Sequence, residues 1–228
     1  MSGYWVDLGR MAYGPCAALQ RSLLEAVAAG RLPHTLLFVE HDPVLSLGAG
    51  FQEENLLLPE EEYAKRGIEV AATDRGGDVT YHGPDQLVAY PIFSLDLVDK
   101  DLHAWLRALE ETVLAALEEF DLAGVRLPPH TGVWVSGRKV CAIGIKVRRW
   151  VSMHGLALNV SNDLTPFQLV VPCGIKDREV TSLSNELDRK VSLSDARSAV
   201  RRAFEKVFGI SLAELSREEL LGRLSVGT

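Results

Sequence analysis

The chain has 228 residues, enough for one full hydrophobic core, with 47% hydrophobic and 24% charged residues, as in ordinary soluble globular proteins. A net charge of −7 argues against general nucleic-acid binding, and no apolar run approaches the roughly 18 residues of a membrane span. Three cysteines, odd in number and far apart, predict reduced thiols; with no signal-peptide core in MSGYWVDLGR, a cytoplasmic location is expected.

Residues 4–6 read as a short first strand. Helical spacing follows over 13–29, with Cys16, Leu19, Leu23 and Val27 on one stripe and Gly30 as the stop. Cys16 on that stripe is a core residue. TLLFVEH (35–41) is a strand ended by Asp42-Pro43, and the glycine-punctuated PVLSLGAG comes next. A short acidic helix is predicted over 58–65 and a strand over 68–72. DRGGDVTYHGPDQ (74–86) reads as a Gly-rich binding loop, with a long hairpin turn as the alternative; twin glycines let backbone N–H groups approach a ligand. It has neither the spacing nor the following helix of a nucleotide phosphate loop. LVAYPIF is the next strand, and 101–121 is the clearest helix, with apolar residues at 3–4 spacing and Gly124 beyond. Two alternating segments, 137–150 and 151–160, read as adjacent strands. Two helices close the chain: about 194–208, and 212–221, where Ser211 and Glu214 form a capping box. The prediction is one α+β domain over 1–228, with the C-terminal helices from about 190 to 228 as a small lobe.

The chemistry concentrates between Gly137 and Ile175. Cys173 sits between Pro172 and Gly174, and a Pro-Cys-Gly turn cannot lie inside a regular sheet or helix. Arg138, Lys139, Lys146, Arg148 and Arg149 form a basic run without an acid, and positive charge near a thiol lowers its pKa. If 139–147 is a strand, Lys139, Cys141, Ile143 and Ile145 share one face. Lys139 then either meets a partner or snorkels to water from the strand end. His82 has two readings, a base or a polar loop residue held by its neighbours. His154 is a further candidate for a Cys-His arrangement. No metal site is expected, because the six histidines are scattered and no CxxC or HxxxH pair exists.

RGGDVTYHGPDQL (75–87), KVCAIGIK (139–146), HGLALNV (154–160) and LVVPCGI (169–175), with HDPVLSLG (41–48) more loosely, together resemble the lipoyl(octanoyl) transferase family. The resemblance implies a mixed or antiparallel sheet core with flanking helices, like the catalytic domain of biotin and lipoate protein ligases. It implies octanoyl transfer from acyl carrier protein to a lysine of lipoyl domains, such as those of 2-oxoacid dehydrogenase complexes and the glycine cleavage H protein. Cys173 corresponds to the acyl-thioester nucleophile and Lys139 to its partner. Substrate contacts implied are Arg75, Gly76, Gly77, Asp78, Val79, Thr80, Tyr81 and His82; Ala142, Ile143 and Gly144; and Gly155, Leu156 and Ala157. No cofactor is implied, since the acyl group arrives on the phosphopantetheine of the carrier; a monomer is expected. Asp85 stands where the family's loop has its second Gly, which puts close backbone approach there in question. Lys146, Arg148 and Arg149 either steer the carrier or are solvated surface. The competing readings are an ATP-dependent lipoate or biotin protein ligase, and a non-catalytic module that binds acylated carrier proteins.

Overall fold

A computed structural model of the chain describes residues 2–171 and 179–225. In chain order the strands are β1 (Ser2–Met11), β2 (Thr35–His41), β3 (Val44–Leu47), β4 (Glu69–Ala72), β5 (Val79–His82), β6 (Gln86–Ile92), β7 (Val125–Leu127), β8 (His130–Val135), β9 (Arg138–Arg148), β10 (Val151–Asn159) and β11 (Ser211–Glu214). The α-helices are α1 (Tyr13–Ala28), α2 (Glu60–Lys65), α3 (Leu102–Glu118), α4 (Leu183–Leu187), α5 (Leu193–Phe208) and α6 (Arg217–Ser225).

Among the described residues the strands form two sheets. The larger has the order β11-β1-β2-β6-β10-β9-β8-β7, parallel across β11, β1 and β2 and antiparallel from there on. The smaller has the order β4-β3-β5. Both faces of the large sheet are covered, which is why its central strands read as unbroken apolar runs. Leu36 and Phe38 of β2, Leu87 and Ala89 of β6 and Leu156 and Leu158 of β10 face α3 and α5. Their neighbours Leu37, Val39, Val88, Tyr90 and Ala157 share the opposite core with Cys16, Leu19 and Leu23 of α1. This is the α+β class with a mixed sheet and flanking helices that the sequence predicts. Phe204 and Phe208 of α5 pack on Phe93 and Trp105 in the main core.

Three predicted elements take other forms. The stretch 74–86 divides into a loop and the strand β5, which turns through residues 83–85 into β6. Asp85 occupies the left-handed region at φ 62°, so the turn survives without the glycine. The capping box predicted at Ser211 and Glu214 is instead β11, paired in parallel with β1. The reciprocal cap forms five residues later: the Glu219 N–H donates to Ser216 Oγ at 3.2 Å and the Ser216 N–H to Glu219 Oε2 at 2.8 Å. The C-terminal segment carries Ser-x-x-Glu twice, and an open edge of β1 claims the first of these two copies.

The third concerns Lys139. Between β8 and β9 the register slips, so that Val133 opposes Cys141 while Trp134 opposes Lys139. The extra residue, Val140, is a β-bulge, and a bulge inverts the alternation beyond it. Lys139 therefore lies on the Trp134 face, opposite to Cys141, and not on the shared face that plain alternation predicts.

Candidate active site

The Gly-rich loop meets β9 along the edge that faces β8, while β10 pairs on its other edge. Pairing with β8 ends at Cys141, which leaves the edge of residues 142–145 open. The Gly-rich loop fills part of that gap: the Gly76 N–H donates to the Ile145 carbonyl at 2.7 Å. Gly144 permits this approach, since a Cβ there would stand 2.7 Å from the Gly76 carbonyl oxygen. Gly77, at φ +87°, turns the loop back.

The result is a pocket of about 450 Å³, partly open to solvent. Arg75, Gly76, Gly77, Thr80 and His82 form one wall. Ala142, Ile143 and Gly144 of β9, with Gly155, Leu156 and Ala157 of β10, form another. Tyr13, Val88, Tyr90 and His154 complete the lining; of these, only His154 was a candidate from sequence. Tyr13 opens α1 and Tyr90 lies in an apolar run, so neither carries a local polar signal. Among the expected contacts, Asp78, Val79 and Tyr81 do not line the pocket. The pleat of β5 sends Thr80 and His82 to the pocket, and Val79 and Tyr81 to the core under the smaller sheet.

Arg75 is 6% exposed and braces the loop. Its guanidinium donates to the Gly76 and Asp78 carbonyls at 3.1 and 2.7 Å, and to Ser46 Oγ at 3.1 Å. Asp78 is a scaffold as well. It accepts from the Val79 N–H at 2.7 Å and from the Asn55 side-chain amide, and the Asn55 carbonyl accepts the Val171 N–H at 2.9 Å. Val171 stands two residues before Cys173. Cys173 and the predicted Pro172-Cys173-Gly174 turn lie outside the described residues.

His82 is held by its neighbours. Gln86 Nε2 donates to the Tyr81 carbonyl and to Asn159 Oδ1, so Gln86 Oε1 is an acceptor and receives a hydrogen bond from the His82 Nδ1–H at 2.9 Å. His82 Nε2 then accepts from Ser46 Oγ at 3.1 Å. Burial, reinforced by His41 and Arg75, drives the His82 pKa well below its ordinary value, so the ring is neutral. The network runs on: Asn159 Nδ2 donates to the Thr181 carbonyl, and the Thr181 N–H to the Lys139 carbonyl, both at 2.9 Å. His154 donates from Nε2 to Asp74 Oδ1 at 2.9 Å; burial lowers its pKa despite that carboxylate, and Nδ1 is buried without a partner among the described residues.

Lys139 is 9% exposed, with Nζ 4.9 Å from the Trp134 ring centroid, within cation–π range. The glycine at 132 leaves room for its stem: a Cβ there would lie 3.1 Å from Lys139 Cε. No ion pair to Lys139 exists among the described residues. The remaining basic run is less positive in space than in sequence, because Arg138 pairs with Glu186 and Arg148 and Arg149 with Glu25. The Lys139 N–H donates to the Glu179 carbonyl at 2.9 Å. Both described flanks of the Cys173 segment are therefore tied to this site.

Cys16 and Cys141 are unsuited to nucleophilic work: both are fully buried, and desolvation pushes both thiols up to about 12. Among the described residues no group of His, Cys, Asp and Glu is placed to hold a metal ion, and no helix is long and apolar enough to cross a membrane.

Residues 13–205 match the lipoyl protein ligase A/B catalytic domain family. An octanoyltransferase of Geobacter metallireducens is 48% identical over 198 residues, covering 87% of this chain and 90% of its own. In three dimensions the chain resembles lipoate-protein ligase A bound with ATP, with a TM-score of 0.78 at 22% identity, covering 99% of this chain and 94% of that one. It also resembles the biotin protein ligase of Aquifex aeolicus, with a TM-score of 0.52 at 14% identity, covering 92% and 70%. With a pocket built from the predicted motifs and this degree of relatedness over nearly its whole length, the chain belongs to the lipoyl protein ligase A/B catalytic-domain family, among its octanoyltransferases, and is an acyltransferase.

Proposed function

We propose that this octanoyltransferase takes its acyl group from the phosphopantetheine thioester of an acyl carrier protein, holds it on Cys173, and delivers it to a lysine of a lipoyl domain. The observation that supports this reading is that both described flanks of the Cys173 segment are anchored beside the pocket walls. Val171 is tied through Asn55 to Asp78 of the Gly-rich loop, and Glu179 and Thr181 are tied to the backbone of Lys139, while the largely apolar pocket lies between that loop, β9 and β10. The other two thiols are buried with raised pKa values.

In the first half-reaction the Cys173 thiolate attacks the thioester carbonyl, and the tetrahedral oxyanion collapses with cleavage of the bond to pantetheine sulfur. Lys139 gives a proton to the departing thiolate and is left as the amine. In the second, the acceptor lysine attacks the acyl-enzyme carbonyl, Lys139 takes the proton that the attacking amine loses, and the C–S bond to Cys173 breaks. An amide forms and the thiolate returns. The exchange between two thioesters is nearly balanced and the amide lies downhill, so no nucleotide is consumed. Ile143, Leu156 and Val88 line a chain-binding pocket in which each buried methylene contributes about 0.8 kcal/mol.

Intact-mass analysis after mixing with octanoyl carrier protein, without nucleotide, tests the reading. A hydroxylamine-sensitive octanoyl adduct is expected on the wild type and not on Cys173→Ser. Turnover by Cys173→Ser at the wild-type rate, or an adduct that requires ATP, refutes it; the second result favours an ATP-dependent ligase.

A further inference from the structure

A second cavity adjoins the first. It has about 730 Å³, partly open to solvent, and shares Gly76, Gly77, Ile143 and Gly144 with the acyl pocket. It occupies the rest of the gap along β9, between the Gly-rich loop and the start of β8. Pro129, His130 and Thr131 form its far wall, Leu106 of α3 faces in, and Lys139 and Ile145 line the β9 side. Leu102, one helical turn before Leu106 on the same face of α3, is 46% exposed although apolar.

We propose that this second limb holds the leaving half of the donor thioester: the long, amide-bearing arm on which a carrier protein presents its acyl chain. The inference rests on the function proposed above and adds where the arm lies. A thioester carbon bears two substituents that diverge, so a site that buries the acyl chain in one limb needs a second limb for the thiol side. The two cavities share the Gly76–Gly77 and Ile143–Gly144 walls, and Lys139, the group assigned to protonate the departing sulfur, lines the second. Its surface suits the arm: Leu106, Ile143 and Ile145 offer apolar contact to methylenes, while His130 and Thr131 offer hydrogen-bonding groups to amides. Leu102 at the rim is an apolar contact for the carrier itself.

The test compares two octanoyl donors, octanoyl-pantetheine and S-ethyl thiooctanoate, which share the acyl chain and differ in the arm. Thr131→Trp and, from a separate element, Leu106→Trp narrow the limb. The second-order rate constant of acyl-enzyme formation is read by intact mass with no acceptor present. Wild type is expected to prefer octanoyl-pantetheine, and each variant to lose at least tenfold of that preference. An unchanged ratio overturns the proposal, whether both rates fall together or neither falls. In a second assay with a lipoyl domain added to the preformed acyl-enzyme, a variant that slows only the loss of the acyl group assigns the limb to the acceptor and overturns it too. Failure of wild type to acylate with either donor sinks the underlying function, a result distinct from an unchanged ratio.

Discussion

Lys139 shows how much one backbone irregularity decides. Without the bulge at Val140, its side chain would share the face of Cys141 and the core under α3; with it, the ammonium lies over Trp134 in the wall of the second cavity. Lys139→Ala is expected to raise the pKa of the Cys173 thiol and to lower turnover by about 10²–10⁴-fold, the range for loss of a positioned acid–base group. Iodoacetamide alkylation followed across pH checks this, and an unshifted profile argues against a thiol–ammonium pair. In the same labelling, Cys16 and Cys141 of the native protein stay unmodified at pH 8, because burial pushes both to about 12. Asp78 acts at one remove, through Asn55 on the Val171 N–H. Asp78→Ala strands the Val79 N–H and the Asn55 amide; it is expected to cost about 1–3 kcal/mol of stability, with kcat reduced more than KM is raised. Denaturant unfolding beside steady-state kinetics reads both effects.

At the scale of elements, the β9–β10 hairpin runs against its own turn chemistry. Arg149 and Trp150 form its two-residue turn at φ 53° and 61°, the primed geometry that favours Asn-Gly. Left-handed backbone costs an L-residue about 1–2 kcal/mol, and Trp150 recovers little, being 47% exposed. Replacing the pair by Asn-Gly is expected to stabilise the protein by about 1 kcal/mol, or about 2–4 °C in Tm for a chain of this size. Calorimetry decides; a lower Tm would show that the Arg149–Glu25 pair outweighs the turn strain.

For the whole molecule, the buried histidines set the response to acid. His41 donates from Nδ1 to the Met11 carbonyl at 2.8 Å and accepts from Tyr90 at 2.9 Å, and burial lowers its pKa from 6.5 to about 4. Between those values the unfolded chain binds a proton that the folded chain refuses, so stability falls as pH drops. The difference of about 2.5 units amounts to about 3 kcal/mol, lost between pH 6.5 and 4. His82, His154 and His34, all lowered by desolvation, act in the same direction. Urea unfolding at pH 7 and pH 5 is expected to show the loss, and His41→Gln to flatten it.

Much of this was legible in the sequence because it is local. The periods of α1, α3 and α5, the alternation in β9 and β10 and the order of the motifs lie within single segments, where hydrophobic pattern and turn residues act directly. The Gly-rich stretch with Arg75 and its twin glycines, read from sequence as a binding loop, lines a pocket, and Cys16 lies in the core as its stripe predicts. What tertiary structure alone decided involves partners far apart in the chain. β11 became a strand because β1 offered an edge; Asp78 became a scaffold through Asn55 and Val171; Arg148 and Arg149 met Glu25 across more than 120 residues. Tyr13 and Tyr90 joined the pocket from elements that carry no motif. Periodicity says which face of a segment turns inward, but only packing says what that face meets.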